Sequence, residues 1–128
     1  MILIDTSAWI EFLRDTGSPT CARVDELLGG EIATCHPVRM ELLAGARDEA
    51  HLADLRRLLA RATLIPTAEA DYESAATLFR TCRRRGETVR RLIDCLIASA
   101  AIRANIPVLH ADRDFDTLAR HTDLVVAS

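Results

Sequence analysis

Hydrophobic positions along this chain alternate between short continuous runs and longer stretches of helical spacing. The continuous runs lie at residues 1–4, 32–35, 64–66, 107–109 and 124–126. Continuous apolar runs of this length are typical of strands that are buried on both faces, as in a parallel sheet. The pattern therefore predicts five short strands separated by helical segments.

The helical segments carry recognisable start and stop signals. A short helix is predicted over 9–14, and Ser18-Pro19 predicts the N-terminus of the next one, which ends at Gly29-Gly30. Pro37 and Asp48 can open two more helices, and Thr67 can cap a long helix that Gly86 closes. Residues 92–103, the most apolar stretch, predict a central helix that ends at Asn105, and a short helix is predicted over 114–120. Strands that alternate with helices in this way indicate an α/β fold.

Composition is that of one ordinary globular domain spanning residues 1–128, with 49% hydrophobic residues, 27% charged residues and a net charge of −3. The apolar runs are too short to span a membrane, and the N-terminus lacks the features of a signal peptide. We therefore expect a cytoplasmic protein. The four cysteines fit no zinc-binding spacing, so we expect reduced, buried thiols.

Acidic residues that interrupt apolar runs are the strongest candidates for chemistry. An unpaired carboxylate among apolar side chains is costly, so it needs a cation, a partner or a shifted pKa. Two of these acids stand at or just after strand ends, and others lie near helix starts. The five candidate acids are Asp5, Glu41, Asp94, Asp112 and Asp114.

Each candidate acid also has a purely structural explanation. Glu41 could be a solvated helix residue, and Asp5 could form a local turn with the backbone. Asp112 could cap a helix in which Asp114 is an ordinary first-turn acid. Asp94 is the hardest to explain in this way, because apolar residues flank it on both sides, although it could pair with an arginine such as Arg39 or Arg91.

Taken together, the five acids indicate one acidic pocket that binds a hard divalent cation. Mg²⁺ prefers a few carboxylates and leaves room for a phosphate of the substrate. Thr6 and Ser7 directly follow Asp5 and could either orient the acids or cap the following helix. No nucleophile elbow, zinc-protease motif or phosphate-binding loop competes with this interpretation.

Four segments, in this order and spacing, resemble a PIN-domain ribonuclease of the VapC toxin type. They are Ile2 to Ile10 around Asp5, Met40-Glu41-Leu42, the run Asp94-Cys95-Leu96-Ile97-Ala98, and Asp112-Arg113-Asp114-Phe115. The resemblance extends over essentially the whole chain. It implies a three-layer α/β/α sandwich with a central, mainly parallel sheet of four to five strands.

The resemblance also implies an activity and partners. It implies a Mg²⁺- or Mn²⁺-dependent endoribonuclease that hydrolyses structured RNA such as tRNA or rRNA and leaves a 5′-phosphate and a 3′-hydroxyl. Asp5, Glu41 and Asp94 match its first three acids, and both Asp112 and Asp114 are candidates for the fourth. It further implies a homodimer that a VapB-like antitoxin inhibits, in a heterotetramer or a larger complex. Where the family often has Thr or Ser, this chain has His110.

A basic segment precedes the helix that carries Asp94. Residues 80–91 hold six of the sixteen arginines of the chain and a single glutamate. RNA binding requires positive charge for the phosphates, although a solvated helix end would have a similar composition. The RNA-binding candidates are Arg83, Arg84, Arg85, Arg90 and Arg91.

Two other functional classes fit parts of the pattern. A strand-end aspartate suits an aspartyl-phosphate domain, but the chain has no lysine, which such domains generally use. A non-catalytic module that binds RNA or protein could share the fold, but its acids would be expected to be lost.

Overall fold

The computed structural model describes residues 1–128, and its helices and strands alternate as the hydrophobic pattern predicts. The strands are β1 Ile2–Ile4, β2 Ile32–Cys35, β3 Thr63–Ile65 and β4 Val108–Leu109. The helices are α1 Thr6–Leu13, α2 Pro19–Leu27, α3 His36–Ala44, α4 Glu49–Leu59, α5 Glu69–Arg84, α6 Leu92–Ala104 and α7 Arg113–His121.

The four strands form one parallel sheet in the order β3-β2-β1-β4. The chain moves outward from β1 to β3 and then returns to place β4 on the other side of β1. Because crossovers between parallel strands are right-handed, the helices before β3 and those between β3 and β4 cover opposite faces of the sheet. This arrangement is the predicted α/β/α sandwich, and its strand order reverses between β1 and β4. Ligands of such sheets bind at the carboxyl ends of the strands beside that reversal.

The core is built on the two central strands and on α6. Leu3 and Ile4 of β1 are fully buried, as are Trp9 and Phe115, the largest buried side chains. Helix α6 contributes seven buried residues, which agrees with its prediction as a central helix. All four cysteines are free and buried, as predicted. No helix combines the length and the apolar character needed to cross a membrane.

Three local predictions differ from the structure. Residues 124–126 do not form a strand, because only Val126 bridges to Val108 at the edge of the sheet. Helix α1 begins at Thr6 because the preceding Asp5 is itself its N-cap. Thr67 does not cap α5: the N-cap is Ala68, whose backbone N–H donates to Oδ2 of Asp71 at 2.8 Å.

Asp71 also links α5 to α6 through a buried ion pair. Its side chain is 3% exposed, and its two oxygens accept hydrogen bonds from Nε and Nη2 of Arg103, each at 2.9 Å. These hydrogen bonds lower the pKa of the Asp71 carboxyl more than burial raises it. The pairing with Arg103 accounts for this buried acid, so Asp71 is a structural residue.

Candidate active site

Asp5 lies at the carboxyl end of β1 and is 2% exposed. Its Oδ2 accepts hydrogen bonds from the backbone N–H of Ser7 at 3.0 Å and from the Ser7 hydroxyl at 2.5 Å. Its Oδ1 is buried and has no hydrogen-bond partner. A buried carboxylate oxygen without a donor is costly, so Asp5 presents one oxygen that is suited to a bound cation.

Both hydroxyls after Asp5 contact candidate acids. The Ser7 hydroxyl accepts a hydrogen bond from the backbone N–H of Ala111 at 2.9 Å, which ties Asp5 to the segment after β4. The Thr6 hydroxyl donates to Oε1 of Glu41 at 2.8 Å and so connects α1 with α3. Asp5 itself caps α1, so the hydroxyls of Thr6 and Ser7 are not needed as caps. They instead orient Glu41 and Asp5, respectively.

Asp94, Asp112 and Asp114 come together as a compact acidic cluster. One carboxylate oxygen from each lies within 4.8 Å of the other two. Asp94 stands in the first turn of α6, is 2% exposed, and has an Oδ2 without a hydrogen-bond partner. The β1–β4 pairing brings Asp5, at the end of β1, beside the segment that follows β4.

The segment after β4 is shaped by its own side chains. Asp112 caps α7, and its Oδ1 accepts from the backbone N–H of Asp114 at 2.9 Å. Nδ1 of His110 accepts from the backbone N–H of Asp112 at 3.1 Å, a contact that a threonine hydroxyl could also make. The structural explanation of Asp112 as a helix cap is therefore confirmed, and it does not remove Asp112 from the acidic cluster.

Asp114 is not an ordinary solvated acid of a first turn. It is 2% exposed, and its two oxygens accept the backbone N–H groups of Arg90 at 3.1 Å and Arg91 at 3.2 Å. These bonds hold the chain in place immediately before α6. Asp114 thereby positions the N-terminus of the helix that carries Asp94.

Two of the five candidate RNA-binding arginines contact the candidate acids. Arg90 donates from Nη2 to Asp112 at 2.6 Å and from Nε to Asp114 at 3.3 Å, and Arg91 pairs with Glu41. The alternative partnership between Arg91 and Asp94 is therefore not the one formed.

The other three arginines lie apart from the acids. Arg83, Arg84 and Arg85 are exposed at the end of α5, where Arg83 lies over the ring of Phe79. Sequence reasoning offered Arg91 as a partner of Asp94, but it missed the pairs that form, namely Arg91 with Glu41 and Arg90 with Asp112 and Asp114. The position of these two arginines directly before a helix with a buried acid was the available signal.

Burial and like charges shift the protonation of the site. Burial, the hydrogen bond with Asp114 and the nearby charge of Asp5 raise the pKa of Asp94 to about 8. Burial also raises the pKa of Asp5, against the hydrogen bonds from Ser7. At Asp114 burial acts in the same direction, but hydrogen bonds from Arg90, Arg91 and Asp94 together outweigh it and lower the pKa. Among these acids, Asp94 is therefore the one whose protonated form is most favoured by burial and by the neighbouring carboxylates.

These features suit a hard divalent cation. Asp5 and Asp94 each contribute a buried oxygen without a partner, and the acidic cluster supplies further carboxylate oxygens at close range. Mg²⁺ and similar cations bind such oxygens and relieve their mutual repulsion. The site can therefore hold a metal ion.

Comparisons with known proteins agree with the geometry. Residues 2–121 match the PIN-domain family. Ribonuclease VapC11 of Mycobacterium tuberculosis is 47% identical over 132 aligned residues, which cover 100% of this chain and 98% of that protein.

Solved structures show the same fold at lower sequence identity. VapBC2 from Rickettsia felis, solved with a DNA fragment of its promoter, has a TM-score of 0.78 at 20% identity, covering 99% of this chain and 98% of that one. VapBC-1 from nontypeable Haemophilus influenzae has a TM-score of 0.77 at 20% identity, covering 100% and 98% of the two chains. The family match and the full-length similarity to VapC11 show that this chain belongs to the PIN-domain family, among its VapC ribonucleases.

Proposed function

We propose that this chain is a metal-dependent endoribonuclease that cleaves structured RNA, such as tRNA or rRNA, in the cytoplasm. The observation that carries the proposal is the pair of buried, unpartnered oxygens of Asp5 and Asp94 beside the acidic cluster. The full-length similarity to a VapC ribonuclease supports RNA as the substrate.

Mg²⁺ or Mn²⁺ would be held by Asp5 and Asp94 together with Asp112 or Asp114. The chemistry that such a cation supplies when bound is activation of water as a nucleophile and polarisation of a phosphoryl oxygen. Ser7 keeps Asp5 oriented through the two hydrogen bonds to Oδ2, which leaves Oδ1 directed to the site. Thr6 holds Oε1 of Glu41, while Oε2 pairs with Arg91. Once Arg91 releases it, Oε2 is the atom that would bind the metal through water or accept a proton from the attacking water.

The proposal includes the partners of a toxin. Solved structures with the same fold include a toxin-antitoxin complex and a member of the VapBC family of toxin-antitoxin systems, and we propose a VapB-like antitoxin for this chain. We further propose a homodimer that joins the antitoxin in a heterotetramer or a larger complex.

Incubation of the purified protein with labelled tRNA and rRNA fragments tests the activity. We expect cleavage with Mg²⁺, none with excess EDTA, and 5′-phosphate ends at the cut. Cleavage that persists in EDTA would contradict metal dependence. RNA binding without cleavage under any divalent cation would favour the non-catalytic module, and phosphorylation of Asp5 by acetyl phosphate would favour the phosphotransfer domain.

Asparagine substitutions should separate the roles of Asp112 and Asp114. Asn is also a good helix cap, so Asp112→Asn should weaken RNA cleavage while the free energy of unfolding stays within about 0.5 kcal/mol of wild type. An asparagine at position 114 would turn an amide donor toward a backbone N–H, and Asp114→Asn should therefore cost about 1–3 kcal/mol of stability as well. Urea unfolding of both variants measures the difference. Equal stability losses would show that the hydrogen bonds from Arg90 and Arg91 do not hold the start of α6.

A further inference from the structure

Arg90 and Arg91 pair with three of the five candidate acids. Arg90 bridges Asp112 and Asp114, and Arg91 pairs with Glu41. The guanidinium groups therefore occupy carboxylate oxygens of the same site that is suited to a divalent cation. We call Arg90 and Arg91 the paired arginines; they hold positive charge at carboxylates that would also attract a divalent cation.

The backbone of the paired arginines is held independently of their side chains. Their N–H groups donate to the two oxygens of Asp114, and the preceding Val89 is 1% exposed in the core. Further back in the same segment, Glu87 accepts hydrogen bonds from Arg120 and, at 2.8 Å, from His121, which anchors the segment to α7. The start of α6 therefore stays in place when the two guanidinium groups move.

The two arginine side chains are 49% and 48% exposed, whereas their carboxylate partners are only 3–16% exposed. Removing a guanidinium group from such a carboxylate is costly unless another cation replaces it. A divalent cation bound at the acids supplies that replacement, and the exposed guanidinium groups can then turn to a phosphate partner. Guanidinium groups bind both partners through the same planar arrangement of donors.

We infer that the paired arginines act as internal counterions of the candidate acids, that metal binding displaces them, and that they then bind RNA phosphates beside the bond to be cut. This inference rests on the proposed function. The same exchange frees Oε2 of Glu41 for its proposed contact with the attacking water. The alternative is that both arginines are permanent supports that keep the acids in place.

The sign of a change in Mg²⁺ affinity separates the inference from this alternative. Calorimetric titration of the RNA-free protein with Mg²⁺ should show tighter binding for Arg90→Gln and Arg91→Gln, by up to about fivefold each, the size expected for a partly exposed ion pair. The backbone donors persist in both variants, so the fold should persist. Weaker Mg²⁺ binding would identify the arginines as permanent supports and would overturn the inference.

Arg84→Gln and Arg85→Gln are the matched controls. They remove the same charge from exposed positions in the same segment, and neither arginine takes part in an ion pair of the structure. Their Mg²⁺ affinity should stay near that of wild type. If Mg²⁺ affinity rises equally in the control and test variants, the rise comes from the overall loss of positive charge and not from these ion pairs. That result would also overturn the inference.

The salt dependence of RNA binding tests the second half of the exchange. Binding of a short single-stranded RNA is measured in EDTA and in Ca²⁺, with the RNA checked for integrity on a gel. Two new phosphate contacts steepen the slope of log K against log salt by about 1.4 for single strands. In Ca²⁺, the slope for the double variant Arg90→Gln/Arg91→Gln should therefore be shallower than that of wild type by about this amount, and in EDTA the two slopes should be nearly equal. For the control variant Arg84→Gln/Arg85→Gln, the difference in slope from wild type should be the same in Ca²⁺ and in EDTA.

If the slope of the variant Arg90→Gln/Arg91→Gln differs from that of wild type equally in Ca²⁺ and in EDTA, the metal does not displace the paired arginines. Cleavage of RNA by the wild type in Mg²⁺, measured in parallel, distinguishes failure of this inference from failure of the proposed function. If the wild type cleaves but the slopes show no metal-dependent difference, only the inference fails. If the wild type neither binds nor cleaves RNA, the proposed function fails with it.

Discussion

Asp94→Asn is expected to reduce RNA cleavage at least about 100-fold, since even indirect support of a metal ligand is worth 10- to 100-fold. Asp94 presents a buried oxygen without a partner and lies in the acidic cluster. Asparagine keeps the shape of the side chain but removes the charge that a cation requires. Cleavage of labelled RNA in Mg²⁺ measures the loss.

The same variant should remain folded and lose its thermal response to Mg²⁺. The neutral amide of asparagine resembles the protonated form of Asp94, which is the form favoured without metal, because the pKa of this carboxyl is about 8. Wild type should gain about 2.7 kcal/mol of stability at a Mg²⁺ concentration one hundred times the Kd, and the variant should gain almost none. Thermal melts with Mg²⁺ and with EDTA measure this difference.

Asp54→Asn is the matched control, because Asp54 lies on α4, is largely exposed and pairs only with Arg57. It should keep both cleavage and the Mg²⁺ response. Undiminished cleavage by Asp94→Asn would remove Asp94 from the metal site. An undiminished Mg²⁺ response together with lost cleavage would instead assign Asp94 to the reaction and not to the cation.

The positions of the strands and of the candidate acids could be predicted because both depend on local pattern. Residues 32–35 are apolar apart from Thr34, and β2 has those bounds. Asp5 and Asp112 follow strands, and parallel strands bring such residues to one edge of the sheet. Asp94 stands out in sequence because a buried charge among apolar neighbours requires a reason.

Features that depend on competition between partners could not be predicted in this way. Val126 has the apolar neighbours of a strand residue, but after α7 the chain meets only the edge of the short strand β4 and forms a single bridge. Thr67 is a good cap by type, yet its hydroxyl is buried without a hydrogen-bond partner, and α5 is capped one residue later, where Asp71 accepts from the backbone N–H of Ala68. Residue type alone does not identify which donor an acceptor meets in three dimensions.

The paired arginines illustrate the same limit within the site. In sequence, Arg90 and Arg91 belong to one basic segment together with Arg84 and Arg85. In the structure the segment divides, because Asp114 holds the backbone of residues 90 and 91 at the acidic site and leaves the earlier arginines exposed on α5. Charge counting cannot reveal this division, since it depends on a contact between segments more than twenty residues apart.

In EDTA, the free energy of unfolding is expected to fall as pH rises from 5.5 to 7.5. The folded state raises the pKa of Asp94 from 3.8 to about 8, so between these values the folded protein holds a proton that the unfolded chain has lost. The stabilisation is complete below the unfolded pKa and disappears as pH rises through the folded pKa, with a slope of up to about 1.4 kcal/mol per pH unit from this group. Asp5, whose pKa is also raised, acts in the same direction.

The groups with lowered pKa values do not obscure this range. The pKa values of Asp71 and Asp114 are lowered, and that of Glu87 is lowered to about 2, so their contributions are lost only in stronger acid. Urea unfolding at several pH values measures the slope. Asp94→Asn should flatten it, Asp54→Asn should retain it, and saturating Mg²⁺ should cancel or reverse it in wild type, because the cation binds the deprotonated carboxylates. A wild-type slope in EDTA that is flat or rising would show that Asp94 is ionised without metal. In that case Arg90 and Arg91 alone would have to offset the repulsion among the ionised carboxylates of the site.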